Sequence, residues 1–367
     1  MVRKSLSAGL KAGNKATKKA FAIGLERTVE HALKPALKAA GITKSAPPRG
    51  PGDWIRGVAV GAAGPRAFNL YNPPDIQRGE RLPLLLMLHG CGQDANGFAV
   101  STRMNRLAAR ERFLVLYPEQ DRLANPQGCW NWFETRSGRA FAELSSVLAA
   151  VEQVCLFHPV DRDRLAVAGL SAGASMAALL ASRHPTVFKA VAMHSGVAPG
   201  AAHSTLSAIE AMRGRRTSQA AHLSKLTEAV KAAGSGADVA HDDPRLESPP
   251  SPVAWPPLLV IQGRSDRVVE PGNGLAAASY WSAHTDSHAG EPTVLQRGRR
   301  HRASITEFKH ARRTRVTLCE IDGLGHAWSG GSSAHPFGDT RGPDASRMIW
   351  SFVQRQFVAA AKLAGKR

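Results

Sequence analysis

The chain is poor in cysteine and in uninterrupted apolar sequence. Its 367 residues include 4 cysteines, too few for the disulfide framework that holds many small secreted domains together. No apolar run approaches the roughly 18–20 residues needed to cross a bilayer. The first 40 residues also lack the apolar stretch of a secretory signal, because Lys11, Lys15, Lys18 and Lys19 interrupt them. A chain of this length with 43% hydrophobic residues instead predicts a globular body with its own core.

Negative charge is scarce in two segments. Residues 1–50 hold 11 Lys or Arg and 2 Glu, a net charge of +9, and residues 297–315 hold 8 Lys or Arg and one Glu, a net charge of +7. Together they supply 16 of the 19 net positive charges, so the rest of the chain is close to neutral. This distribution argues against a main domain that binds nucleic acid. Each basic segment is either a solvated face or a surface that attracts an anionic polymer granule or membrane.

The N-terminal segment has partly amphipathic helical spacing. Apolar side chains recur at steps of four, at Phe21, Leu25, Val29, Leu33 and Leu37. Such a helix could lie on a membrane or granule surface, or it could be a frayed extension or a small packed helix. Residues 46–52 then read as a Pro- and Gly-rich linker. We therefore expect a basic extension and linker over residues 1–50 and a catalytic domain over residues 51–367.

From Trp54 onward, predicted strands and helices alternate. The predicted strands are Pro83–His89, Phe113–Tyr117, Arg164–Ala168, Phe188–Met193, Leu258–Gln262 and Val316–Ile321, and the predicted helices are Ser101–Glu111, Phe141–Cys155, Ala174–Ser182 and Met348–Ala361. This alternation predicts an α/β fold with a mainly parallel, doubly wound sheet. Residues 201–257 interrupt it as a helical insertion, with predicted helices Leu206–Met212 and Ala220–Ala233, and we expect this insertion to cap the sheet.

One pentapeptide indicates chemistry. Gly169-Leu170-Ser171-Ala172-Gly173 follows a predicted strand and precedes a predicted helix. A sharp strand-to-helix turn of this kind lifts a serine hydroxyl out of the sheet, and its glycines keep side chains away from the bend. Ser171 is therefore a candidate nucleophile, with an ordinary tight turn as the alternative.

A serine nucleophile needs a base and an acid that orients the base. Asp266 follows the strand Leu258–Gln262, and His326 lies in a Gly-rich loop after the strand Val316–Ile321. The order Ser, Asp, His, each after a strand, is that of an α/β hydrolase. Asp322 competes with Asp266 for the acid role, but it lies on the same loop as His326. The other histidines, among them His89 and His194, compete for the base role.

An oxyanion hole completes such a site with two backbone N–H groups. One should come from Ala172, directly after the nucleophile. The other should come from the glycine-rich loop His89-Gly90-Cys91-Gly92-Gln93, and we assign it to Cys91. The alternative for this loop is a glycine turn without a catalytic part.

Five ordered motifs resemble the polyhydroxybutyrate (PHB) depolymerase family of esterases, in the α/β-hydrolase superfamily, over roughly Trp54 to Phe357. They are HGCGQ (89–93), LYPEQ (116–120), GCWNWF (128–133), GLSAG (169–173) and GHAWSGG (325–331). The resemblance implies the α/β-hydrolase fold and ester hydrolysis by Ser171, Asp266 and His326, without a cofactor or a metal. It also implies that Cys91 and Cys129 lie together beside the active site, where they could form a disulfide.

The substrate and the compartment stay open at this stage. The family includes short-chain polyhydroxyalkanoate depolymerases and feruloyl or acetylxylan esterases, so the expected substrate is an ester or polyester. Trp130 and Trp328 are candidates for an ester-binding wall, whereas Trp132 could equally be a core residue. The family's members are typically secreted, which predicts an extracellular protein, but the missing secretory signal favours an intracellular or granule-associated one. A protein targeted to a granule or membrane surface by its basic N-terminus is the alternative outside the enzymes.

Overall fold

A computed structural model describes residues 45–215, 255–333 and 335–364. The predicted amphipathic helix over residues 21–37, and with it almost all of the basic extension, lies outside the described residues. The predicted helix Ala220–Ala233 lies outside them as well.

An 11-stranded sheet forms the centre of the protein. Its strands are β1 (Asp53–Gly61), β2 (Gly64–Asn72), β3 (Leu82–Leu88), β4 (Leu114–Pro118), β5 (Val160–Leu170), β6 (Ala190–His194), β7 (Leu258–Gly263), β8 (His288–Ala289), β9 (Thr293–Leu295), β10 (Ala303–His310) and β11 (Arg313–Ile321). Their order is β1-β2-β4-β3-β5-β6-β7-β11-β10-β8, and β9 pairs with β10. All neighbours from β4 to β11 in this order are parallel, and the strands outside that range pair antiparallel. The predicted mainly parallel sheet is therefore confirmed.

Helices cover both faces of the sheet. They are α1 (Ala95–Thr102), α2 (Met104–Glu111), α3 (Arg139–Phe157), α4 (Ala172–Arg183), α5 (Thr205–Met212), α6 (Gly272–His284) and α7 (Ala345–Ala364). Buried side chains of α3, α4 and α6 form one core cluster, and those of α1, α2 and α7 form the other. Alternate residues of β3 serve the two clusters: Leu84 and Leu86 face the first, and Leu85 and Met87 face the second. A strand buried on both sides is apolar at every position, which explains the continuous run in the sequence.

The predicted helix Ser101–Glu111 is wrong as a single element. The structure has α1 and α2 instead, with Arg103 between them in the left-handed conformation at φ 55°. The Thr102 hydroxyl donates to the Phe98 carbonyl at 2.9 Å, and Asp94 caps the start of α1 by accepting from the Gly97 N–H at 2.7 Å. The Thr102 bond competes with a continuous helix at the break, whereas the Asp94 bond fixes where α1 starts.

Helix α3 is, by length and composition, the one helix in the described residues that could cross a membrane. Half of that window is buried inside the domain. Val147, Val151 and Val154 lie in the core cluster shared with the sheet. The length and apolar composition of α3 therefore fit a buried core helix as well as a membrane span.

The second basic segment, residues 297–315, is part of the sheet rather than a tail. It contains β10 and the start of β11, an antiparallel pair joined by Ala311 and Arg312, both at positive φ. Its arginines at positions 297, 299, 300, 302, 312 and 313 are exposed. Their charge therefore lies on the surface at one edge of the sheet.

The insertion begins as predicted with a helix. α5 matches the predicted Leu206–Met212, and its N-terminus is closed by reciprocal bonds between Ser204 and Ser207. A hydrogen bond connects the end of α5 to the loop after β7, where the Glu270 N–H donates to the Met212 carbonyl at 2.8 Å.

Helix α4 approaches β3 so closely that only glycine fits between them. A Cβ added at Gly173 would lie 2.1 Å from the Leu88 carbonyl oxygen and 2.4 Å from that of His89. We expect Gly173→Ala to lower the free energy of unfolding by about 1–3 kcal/mol, because the backbone must shift to admit the methyl group. Urea denaturation measures this change.

Gly290→Ala is the matched control. Its added Cβ would meet nothing closer than the Glu307 carbonyl oxygen at 3.4 Å, an ordinary contact. We expect a change within about 0.5 kcal/mol there. Equal stability of both variants would contradict the close contact at Gly173.

Candidate active site

Ser171 lies on a strained turn at the carboxyl end of β5. Its backbone has φ 56° and ψ −123°, a conformation that non-glycine residues rarely adopt. The Ser171 N–H donates to the His194 carbonyl at 2.9 Å, which ties the turn to the end of β6. Such strain persists only where the surrounding structure imposes it, and it concentrates at functional sites. The geometry is that of the nucleophile turn that the pentapeptide predicts.

Asp266 lies in the loop after β7 and is 4% exposed. Its Oδ1 accepts from the backbone N–H groups of Val268 and Val269, each at 2.9 Å, and its Oδ2 accepts from His326 Nδ1 at 2.8 Å. Burial acts to raise the pKa of this carboxyl group, but the hydrogen bond and charge of His326 and the two N–H donors outweigh burial and lower the pKa. Asp266 is therefore a stable carboxylate partner for the imidazole.

His326 lies in the loop after β11, and its side chain is 9% exposed. Because Asp266 accepts the Nδ1 proton, Nε2 is left as the basic nitrogen of the neutral ring. The competing carboxylate, Asp322, lies instead in an ion pair with Arg264 at 2.9 Å. The structure thus brings Asp266, and not Asp322, to the imidazole.

His194 lies at the end of β6, between the strands that carry Ser171 and Asp266. Its Nε2 accepts from the Ser329 N–H at 3.2 Å, and its Nδ1 lies 3.2 Å from the Ser195 hydroxyl. The ring also stacks on Trp328 with a centroid distance of 5.2 Å. Complete burial, together with the nearby charge of His326, lowers the pKa of His194 to about 3, against a smaller opposing effect of Asp266. His194 is therefore a neutral support that joins the Ser171 turn to the loop of His326 and Ser329.

The predicted oxyanion-hole donors are the backbone N–H groups of Cys91 and Ala172. Ala172 is the first residue of α4, where helical N–H groups have no partner within the helix. Within residues 45–215, 255–333 and 335–364, neither the Cys91 nor the Ala172 N–H has a protein acceptor. Gly90 brings the Cys91 loop near the nucleophile, since a Cβ added there would lie 3.5 Å from the Ser171 Cβ.

A disulfide joins Cys91 to Cys129. It links the loop after β3 to the loop that carries Trp130, and the Gly92 N–H donates to the Gln127 carbonyl across the same junction at 2.8 Å. The other two cysteines, Cys155 and Cys319, are buried free thiols. The disulfide therefore restrains the segment that supplies the Cys91 N–H.

Trp130 and Trp328 do not form an ester-binding wall, and this prediction is wrong. Both indoles are fully buried. Trp130 Nε1 donates to the His89 carbonyl at 3.0 Å, and Trp328 Nε1 donates to the Ser346 hydroxyl at 3.0 Å. Each indole packs beneath a loop of the site instead of facing a substrate. Trp132 is also a core residue, at 5% exposure.

A buried charged network supports the disulfide loops, and sequence reasoning missed it. Arg66 on β2 donates to the Gln120 side chain at 2.8 Å and lies 5.3 Å above the Trp130 ring. Gln120 in turn donates to Glu143 of α3 at 2.7 Å, and Glu143 accepts from the Asn131 backbone N–H at 2.9 Å. Burial lowers the pKa of Arg66, while the charges of Glu143 and Asp121 act to raise it.

His89 belongs to the same support. Its Nδ1 lies 2.8 Å from the Gly90 carbonyl, and its Nε2 accepts from the Gln120 N–H at 3.1 Å. Burial lowers the pKa of His89, so the ring is neutral. Of the residues that the structure describes, no three His, Cys, Asp or Glu side chains are grouped to hold a metal ion.

The buried His194 makes the fold sensitive to acid. Its pKa is about 3 in the folded protein and about 6.5 in the unfolded chain. The unfolded chain therefore takes up the proton first, so the contribution of the neutral ring is complete above about pH 6.5 and is lost as the pH falls toward 3. Between pH 7.5 and pH 5 the free energy of unfolding should fall in both proteins. We expect the fall to be about 2 kcal/mol smaller in His194→Gln than in the wild type.

Urea denaturation at the two pH values measures this difference. His89 contributes to the acid sensitivity of both proteins, so the comparison isolates His194. Exposed His288→Gln is the control and should follow the wild type. An equal loss in His194→Gln and the wild type would contradict a neutral, buried His194.

Comparisons with known proteins find similarity to esterases. Residues 66–244 match the family model described as esterase PHB depolymerase. The chain is 36% identical over 115 residues to poly(3-hydroxyalkanoate) depolymerase C of Paucimonas lemoignei, covering 31% of this chain and 28% of that protein. It is 28% identical over 146 residues to feruloyl esterase B of Neurospora crassa, covering 39% of this chain and 49% of that protein. The chain thus spans less than half the length of these curated relatives.

A solved structure extends the likeness to the fold. The acetyl xylan esterase from Aspergillus awamori superposes with a TM-score of 0.54 at 16% identity, over 75% of this chain and 94% of that chain. At this identity the match concerns the fold alone. The strand order and this likeness show the α/β-hydrolase fold, and residues 66–244 are similar to the esterase PHB depolymerase family.

Proposed function

We propose that this chain is a serine esterase that hydrolyses carboxylic esters through an acyl-enzyme. The observation that carries the proposal is the 2.8 Å bond between Asp266 Oδ2 and His326 Nδ1, at the same sheet edge as the strained Ser171 turn. This set has the parts of a nucleophile, a base and a group that orients the base.

In the proposed acylation, His326 Nε2 removes the Ser171 proton as Oγ attacks the ester carbonyl carbon. The N–H groups of Cys91 and Ala172 stabilise the negative charge that develops on the carbonyl oxygen. Asp266 stabilises the imidazolium, and His326 then gives the proton to the leaving alcohol. A water molecule, deprotonated by His326, releases the acid and restores Ser171. Side chains, backbone groups and water supply every step.

We further propose a short-chain polyhydroxyalkanoate, such as PHB, as the substrate class. The support is the similarity to a protein named poly(3-hydroxyalkanoate) depolymerase, at 36% identity over 115 residues. A plant-wall ester is the second candidate, favoured by the similarity to a feruloyl esterase and by the shared fold of an acetyl xylan esterase. Clearing of a PHB suspension, compared with release of ferulate and acetate from model esters, separates the two.

The Ser171 hydroxyl is the proposed nucleophile, so Ser171→Ala should lower kcat for p-nitrophenyl butyrate by at least about 10⁴-fold. The methyl group keeps the turn, so the far-UV circular dichroism and the unfolding midpoint should stay near those of the wild type. A serine-directed phosphonate should label the wild type and not the variant. Exposed Ser145→Ala on α3 is the control and should keep full activity. Turnover retained in Ser171→Ala would contradict the mechanism.

The disulfide holds the proposed Cys91 oxyanion donor, so breaking it should slow acylation. We expect the Cys91→Ser/Cys129→Ser variant to lose about tenfold or more in kcat for p-nitrophenyl butyrate, because a displaced donor loses part of its stabilisation of the transition state. Reduction of the wild type should have a similar effect, and the same reductant should leave the double variant unchanged. A thiol assay verifies that reduction is complete. If the fully reduced wild type kept full activity, this would contradict the role of the disulfide.

A further inference from the structure

Phe337 is a large apolar side chain that stays 39% exposed at the candidate active site. Its ring meets the His326 imidazole edge to face, with a centroid distance of 6.2 Å and an interplanar angle of 84°. The nearby tryptophans are buried, so they cannot contact a substrate. Phe337 therefore presents an accessible apolar surface directly beside the proposed base.

The backbone holds Phe337 in this place against its own preference. Its φ is 65°, a conformation that a bulky non-glycine residue rarely adopts. The Phe337 carbonyl accepts from the Trp328 N–H at 2.7 Å. The next residue begins β13 (Gly338–Asp339), which pairs with β12 (Trp328–Ser329), two residues beyond His326. The base and the phenyl ring are thus fixed on one small structural unit.

Close packing fixes the same unit from the other side. A Cβ added at Gly338 would lie 2.0 Å from the Ser332 carbonyl oxygen, and the Ser332 N–H donates to the Ser101 carbonyl at 2.8 Å. Strained and over-determined residues concentrate at ligand-binding sites. The backbone of Phe337 is strained, and its exposed ring adds little to the packing of the core. Its position therefore points to a contact with a bound molecule.

The chemistry of the proposed function decides which part of a substrate meets this ring. His326 donates its proton to the leaving alcohol oxygen, so the alcohol lies beside the imidazole. The carbonyl oxygen points instead toward the Cys91 and Ala172 N–H groups. We propose that Phe337 is a specificity-determining residue that contacts the alcohol part of the ester and favours apolar alcohols. This inference rests on the proposed function.

The test compares two esters with the same acyl group, methyl butyrate and benzyl butyrate, by pH-stat titration. Both give the same butyryl-enzyme, so a difference in kcat/KM reports acylation and the alcohol. Phe337→Ala should lower kcat/KM for benzyl butyrate about tenfold more than for methyl butyrate, since one apolar contact supplies discrimination of this size. The ratio between methyl butyrate and methyl acetate should not change.

Phe337→Gly provides a second variant in case alanine fails to fold at the positive φ, because glycine adopts this conformation freely. It should show the same selective loss. Val358→Ala, which truncates an exposed apolar residue on α7, is the matched control and should keep all ratios.

Two outcomes would overturn the inference. Equal losses for both butyrates would mean that Phe337 acts through His326 or through folding. A change in the acyl ratio alone would place the ring on the acyl side. Failure of the proposed function gives a different result, because the wild type itself would then hydrolyse none of the esters. That result would overturn both the proposed function and the alcohol contact.

Discussion

The candidate site depends on a backbone contact that excludes every side chain. Helix α4 starts so close to β3 that the Gly173 Cα faces the Leu88 carbonyl, and Gly169 faces the Gly173 carbonyl in the same way. The strained turn at Ser171 lies between these two glycines, and the loop of Gly90 and Cys91 lies close to it. Packing between a helix and two strands thus positions the proposed nucleophile and the proposed oxyanion donors.

Two neutral imidazoles then fix the loops around this turn. His194 ties the end of β6 to Ser329, three residues beyond His326, and His89 ties the Gly90 loop to Gln120. Both rings are wholly buried, and burial keeps them uncharged. Beneath His89, the Arg66 and Glu143 network satisfies the polar groups of the Cys129 loop. Buried polar networks of this kind specify a single arrangement when every member is bonded.

The sequence predicts the parts of the fold that follow from local pattern. Buried parallel strands such as β3 and β7 consist mainly of apolar residues, so their runs are visible without a structure. Asp266 and His326 could be selected because each follows a strand that the sequence predicts. Their 2.8 Å contact depends on β7 and β11 being neighbours, which no local pattern states. Their catalytic roles, and those of Ser171, Cys91 and Ala172, remain predictions.

Other features could not be read from the chain because they depend on distant partners. Trp130 and Trp328 look like binding residues in their motifs, yet their indole N–H groups bond to His89 and Ser346 inside the core. Phe337 gave no signal, since a single phenylalanine between a proline and a glycine does not indicate a positive φ or contact with an imidazole. Long-range packing, rather than local propensity, decides which aromatic rings face solvent.

The two buried imidazoles also link the fold to the chemistry proposed for it. Each ester bond cleaved yields a carboxylic acid, so an esterase working on a dense polyester surface acidifies the thin layer of water in which it stands. Because the pKa values of His89 and His194 are lowered in the folded protein, the unfolded chain binds protons at these residues first as the pH falls. If a polyester is the substrate, the acid released there lowers the free energy of unfolding of the chain, and the local buffering capacity limits that loss.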